Sequence, residues 1–191
     1  MPEGGIFDRA KNAVVNVVKG AGDVVNAVRS TVTDIVKGTL KEAGDITGTA
    51  LGVVSDAVRG ALKGAQEAGA EAAQSARAIV SGAVEAVVQV GGDVVEGARN
   101  AVRGAIQGAA EVGGDVAGAA VGAVEAAVET AGRLGKSVGD VAKGTAEQAL
   151  ETVGEISADA VDAVKKGLSS AASLPKDVIQ SVVGKGGDSE T

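Results

Sequence analysis

The chain of 191 residues has no Cys, His, Trp or Tyr, and Phe7 is its one aromatic residue. Without His and Cys it lacks the usual proton shuttle, the thiol nucleophile and the soft metal ligands. The remaining Ser, Thr, Lys and carboxylate side chains are spread along the chain, and no local constellation gathers them. No glycine run is followed by the Lys-Ser/Thr that would make a phosphate loop. Carboxylates one repeat apart on a helix stand about 16 Å from each other, too far to share a calcium ion. A non-enzymatic protein with no cofactor and no metal is therefore expected. The net charge of −7, the absence of stacking aromatics and a largest basic cluster of Lys165-Lys166 disfavour nucleic acid.

Other absences concern compartment. No uncharged apolar run reaches the roughly eighteen residues of a membrane span; Glu85 and Asp93 interrupt the best stretch, so no transmembrane helix is expected. The first residues lack the charged start and apolar core of a secretory signal. A cytoplasmic location is expected, either free or peripheral on a membrane, lipid droplet or granule.

What is present is a period. Proline occurs only at Pro2 and Pro175, and between them an apolar pattern recurs every eleven residues. Stepping 4, 3 and 4 residues from Val14 gives Val14, Val18, Ala21, Val25, Arg29 and Val32. The series continues through Val36, Leu40, Leu51, Val54, Val58 and Leu62, then Val80, Val84 and Val87, and Val102 and Ile106. Eleven residues make three turns at about 3.67 residues per turn, so these positions form one nearly straight stripe on a helix. The residues from Val36 to Ile106 in that series are the candidate apolar binding or packing face. Thr33, Thr49 and Gln66 fall outside it and are expected to be exposed. Opposite runs an acidic column, Asp23, Asp34, Asp45, Asp56, Glu67, Glu111 and Glu155, read as a solvated face with intrahelical ion pairs.

The fold class expected is all-α, in long amphipathic helices of eleven-residue repeats. A single straight helix over the whole repeat would be about 240 Å long, so the chain either lies extended on something else or folds back as hairpins. The thirty glycines oppose helix, at about 1 kcal/mol each relative to Ala, and leave open whether the free chain is ordered. Three compensations are available: binding to a surface, close helix–helix approach, or use of glycine pairs as bends. Bends are expected near residues 91–92, 113–114 and 132–139, with Asp93 and Asp115 capping the helices that follow. The organisation expected is a leader at 1–8, the repeat region at 9–174 and a polar tail at 175–191, with another apolar turn or two at 177–183.

Runs such as Val36-Lys-Gly-Thr-Leu-Lys-Glu-Ala-Gly44 and Val58-Arg-Gly-Ala-Leu-Lys-Gly-Ala65 resemble the eleven-residue repeats of synucleins, perilipins and exchangeable apolipoproteins. More distantly they are similar to group 3 late-embryogenesis-abundant proteins. The likeness is one of period and texture over most of the chain. The first resemblance implies helices that form on lipid; the second implies protection during drying. The leading expectation is an amphipathic coat on a lipid or apolar-granule surface. The alternatives are a structural bundle or filament, with homo-oligomers as partners, and a desiccation or stress protectant.

Overall fold

A computed structural model describes residues 5–44 and 48–184, apart from the side chains of Thr49 and Ala72. Those residues form helices α1 (Ile6–Gly20), α2 (Val24–Glu42), α3 (Gly48–Glu67), α4 (Ala72–Gln89) and α5 (Val94–Glu111). They continue with α6 (Val116–Arg133), α7 (Val138–Ile156), α8 (Ala158–Ser170) and α9 (Lys176–Gly184). No strand occurs among the described residues, so the protein is all-α. Asp45 of the acidic column lies outside the described residues with its neighbours Ile46 and Thr47, as do positions 1–4 of the leader and 185–191 of the tail.

Between α3 and α7 the chain reverses where the sequence puts glycine. At the end of α4 the Gly92 N–H donates to Val87 O at 2.9 Å and the Gly91 N–H to Val88 O at 3.1 Å, with Gly91 at φ +76°. Gly114 to Ala109 and Gly113 to Ala110 repeat this pair of bonds at 2.8 and 3.1 Å, and Lys136 to Ala131 with Gly135 to Gly132 repeat it again. This is the Schellman arrangement, which satisfies the last carbonyls of a helix and needs a left-handed residue that glycine adopts without strain. The Asp93 carboxylate then accepts from Val95 N and Glu96 N, and Asp115 accepts from Gly118 N, starting α5 and α6. Asp23 caps α2 through Asn26, whose side-chain and backbone N–H groups hold the carboxyl below the usual carboxylate range. A lowered value means that this cap stabilises α2 above the ordinary carboxylate pKa and is lost as pH falls through the lowered one.

These reversals explain the period. Helices α4, α5 and α6 have 18 residues each, and the left-handed glycines Gly69, Gly91, Gly113 and Gly135 recur at intervals of twenty-two. One helix plus one turn spans two eleven-residue repeats, so the apolar register survives each turn. The single stripe of the sequence is therefore cut into helix-length pieces that face one another.

From α1 to α5 each helix packs on its sequence neighbours and, more extensively, on the helix two places along; at the C-terminal end α6 packs more on α7 than on α8, and α7 more on α8 than on α9. Odd-numbered helices make one layer and even-numbered helices the other. Within a layer the helices run parallel, since Phe7 and Lys11 of α1 meet Gly60 and Gly64 of α3 in the same order. The Ala- and Val-rich core lies between and within the two layers, a stack of hairpins of the solenoid kind.

Helical glycines make the close approach within layers possible. A Cβ on Gly60, Gly64, Gly82 or Gly104 would collide with the backbone carbonyl of Phe7, Lys11, Arg29 or Ser55 of the helix two places earlier. Of the three compensations open to the sequence, close packing accounts for these four and turn geometry for Gly91, Gly113 and Gly135. Residue 175 was expected to begin a polar tail. Instead, Pro175 opens α9, which packs on α7 and α8 and buries Ile179 and Val182. The 177–183 apolar turns are the reason: this amphipathic stretch has an apolar edge to cover.

Candidate functional surface

The candidate face does not look outward. Val36, Leu40, Leu51, Val54, Val58, Leu62, Val80, Val84, Val87, Val102 and Ile106 are all buried, none more than 1% exposed. The structure brings them together inside one core cluster. Two other members of the stripe depart from it: Val25 is 48% exposed and Arg29 lies at the surface edge. Thr33, expected to be exposed, is instead buried, because α4 covers it. Its hydroxyl donates to Arg29 O at 2.9 Å and to Gly82 O at 3.0 Å, joining α2 to α4.

The charged residues also work between helices. Lys11 meets Glu67 at 3.1 Å, Arg59 meets Glu111 at 3.3 Å, and Arg77 meets Glu125 at 2.6 Å and Glu129 at 3.4 Å. Glu85 of α4 lies between Arg29 of α2 at 3.8 Å and Arg133 of α6 at 3.6 Å. All link helices of the same layer; among the described residues Arg59–Asp56 is the intrahelical exception. The expectation of intrahelical pairs fails here because the partner in the next hairpin is as close as the next turn. Half-exposed pairs of this kind contribute about 0–1 kcal/mol each, so they select neighbours more than they stabilise. Arg59 Nε approaches Glu111 without hydrogen-bond alignment, and its guanidinium lies 5.3 Å from the centre of the Phe7 ring.

A polar hub lies between α5 and α7. The buried Gln148 carbonyl accepts from Arg99 and Arg103 at 3.3–3.4 Å, and its amide donates to Thr152 Oγ1 at 3.0 Å. It joins two helices and offers no reactive group. No cluster of three acids suited to a metal ion occurs among the described residues, and no described helix is long and apolar enough to cross a membrane.

Two adjoining cavities open near the first turns of α2 and α4, beside the end of α1 and the turn before α4. The first, of about 270 Å³, is walled by Val18, Val24, Val25 and Val28 on one side and Ala70, Ser75 and Ala78 on the other. The second, of about 250 Å³, shares Val25, Gln74 and Ala78 with it and carries Arg29, Arg77 and Glu129. Sequence reading missed this groove. Its signal is the contrast between the Val24-Val25 pair and the small residues of α4, which matters only once the two helices are known to be neighbours.

No protein-family profile matches the chain, and no curated protein matches it. Among solved structures, the crystal structure of the de novo designed helical repeat protein DHR7 is similar at a TM-score of 0.48 and 20% identity, over 96% of this chain and 95% of that one.

Proposed function

We propose that the protein is a non-enzymatic structural protein, a finite stack of helical hairpins that folds on its own. The observation that supports this reading is the burial of all eleven residues of the repeating face. A coat on a lipid or apolar-granule surface would have to take that face out of the core, and the hairpins would have to open first. A desiccation protectant acting through composition would have no use for glycines fitted against named carbonyls.

The ends favour a finite stack over a filament. Ala57, Gly60 and Gly64 of α3 receive α1; the residues 48 positions earlier, on α1, are Arg9, Asn12 and Asn16, the first three of these buried and the last three exposed. At the other end α8 exposes Asp159, Asp162, Lys166 and Ser169, and α9 exposes Asp177, Gln180 and Ser181. Polar outer faces on terminal repeats are what a solenoid needs to stay soluble and stop growing.

Circular dichroism and sedimentation of the purified chain test the reading. In plain buffer we expect a helical monomer that melts cooperatively, with helicity unchanged by neutral lipid emulsion. A chain that is mostly coil in buffer and gains helix on the emulsion would overturn it in favour of the coat.

A further inference from the structure

We propose that the outer face of α7 and α8 is a docking groove for an amphipathic helix of a partner protein, and that α9 is the removable strap that fills it in the free chain. The proposal rests on the reading of the fold as a finite stack and adds an interface to its C-terminal end.

The groove is cut for a longer helix than it holds. Helix α5 brings 18 residues to α3, whereas α9 brings 9 to α7. Leu62, Ile106 and Leu150 occupy the same place in α3, α5 and α7, at intervals of forty-four residues. Leu62 lies under Gly108 of α5 and is fully buried, as is Ile106. Leu150 is only half-buried, and Ile156 at the end of α7 is 41% exposed.

The strap is also loosely held. Each pair of helices two places apart from α1 to α7 is joined by a side-chain hydrogen bond or an ion pair. No such bond joins α9 to α7 or α8 among the described residues; the buried side chains of Ile179 and Val182, with Leu174 just before them, are apolar. Gly144, Gly154 and Gly167 of α7 and α8 are set against Val95, Val161 and Val121, and none against α9. A cavity of about 110 Å³ remains between Leu168 and Ser169 of α8 and Leu174 and Ile179. A helix this short is marginal on its own, so α9 melts when it leaves. Opening of a terminal piece of this kind takes far less free energy than global unfolding.

Charge specifies the replacement. In the odd layer one place reaches forward to the next helix: Lys11 meets Glu67, Arg59 meets Glu111, and Arg103 meets Gln148. On α7 the same place holds Glu147, exposed and paired with no described cation, while Lys143 keeps the sign of Arg99. A helix with a carboxylate at the receiving place, as in α3 and α5, is repelled there, and one with a lysine or arginine is attracted. The occupant is a foreign helix, selected by an apolar stripe with small residues at the crossing and by one cation at its end.

Helix α5 shows what such a face accepts, so its own sequence supplies the probe. A fluorescent peptide of residues 94–111 carrying Glu111→Lys is titrated into the full chain and followed by anisotropy, with the unmodified peptide as control. Saturable one-to-one binding is expected, the Lys-bearing peptide ahead of the control by about fivefold. E147K in the chain should reverse the order of the two peptides. Ile179→Ser should free the groove and tighten binding by about tenfold or more. It should also speed amide exchange at 176–184 and leave the main melting transition in place. No saturable binding to I179S, equal affinity of I179S and the native chain, or an unchanged peptide order in E147K would each overturn the proposal. Self-association of I179S without peptide would make a second copy the occupant and overturn it too. Circular dichroism on the same samples separates the two readings: a helical chain that binds neither peptide defeats the groove alone, and a coil defeats the stack as well.

Discussion

Replacing Gly60, Gly82 or Gly104 with alanine is expected to destabilise the protein by about 1–3 kcal/mol per site, although alanine is the better helix former. The reason is the carbonyl facing each one: the new methyl must displace the backbone of Phe7, Arg29 or Ser55. Gly38 and Gly52 are the matched controls. They too lie within helices, but nothing stands within 4 Å of the methyl, so alanine there should stabilise by about 0.5–1 kcal/mol. Gly113→Ala forms a third class. Its space is open but its φ is +67°, so the left-handed strain of about 1–2 kcal/mol decides the sign. Urea unfolding of the six variants checks the ordering. Equal stabilisation by alanine at all helical glycines would mean that the layers are not packed as described.

The second large effect concerns the length of the unit. Removing residues 50–93 takes out α3 and α4 with their turns, 44 residues in all, and should leave a shorter protein that still folds cooperatively. Helix α5 then follows α2, and Gly104 and Gly108 arrive against α1 where Gly60 and Gly64 had been. The even layer is less well matched, because Ala126 replaces Gly82 beside Arg29. Some loss of stability is expected for that reason. Removing only residues 52–62, one eleven-residue repeat, should be far worse. It halves α3 and deletes Val54, Val58 and Leu62, each about 1.5–3 kcal/mol of buried side chain, a sum comparable to the whole stability of a typical domain. A continuous stripe on a surface predicts the opposite for the eleven-residue deletion, which it should tolerate. Melting curves of the two deletions separate these accounts.

The sequence made the helices legible because Val and Leu recur at a helical spacing, and the turns legible because Gly-Gly-Asp recurs at residues 91–93 and 113–115. All eleven residues of the candidate face are buried, although the core also takes in Ala57, Ile79, Ala83, Val124 and others outside it. The partner of that face was hidden. An apolar stripe looks the same whether it meets lipid or another helix, and the small side chains of this one suit either. The true unit was hidden as well, since twenty-two is a multiple of eleven and the phase passes unchanged through each turn. Gly60, Gly82 and Gly104 held the missing information: three helical glycines twenty-two residues apart, each unfavourable for an isolated helix and each explained by a close neighbour. Thr33 shows the limit from the other side. Its polarity suggests solvent, and only the position of the Gly82 carbonyl accounts for its burial.

Native-state amide hydrogen exchange in plain buffer, with no lipid present, tests the central claim that the repeating face is satisfied within the chain itself. The account predicts that the amides of Val58, Ile79, Val102 and Val124, all in fully buried positions, exchange slowest, at least about a thousandfold below their unfolded rates. Exchange of these amides at near-unfolded rates in buffer, with protection appearing only after lipid is added, would contradict it.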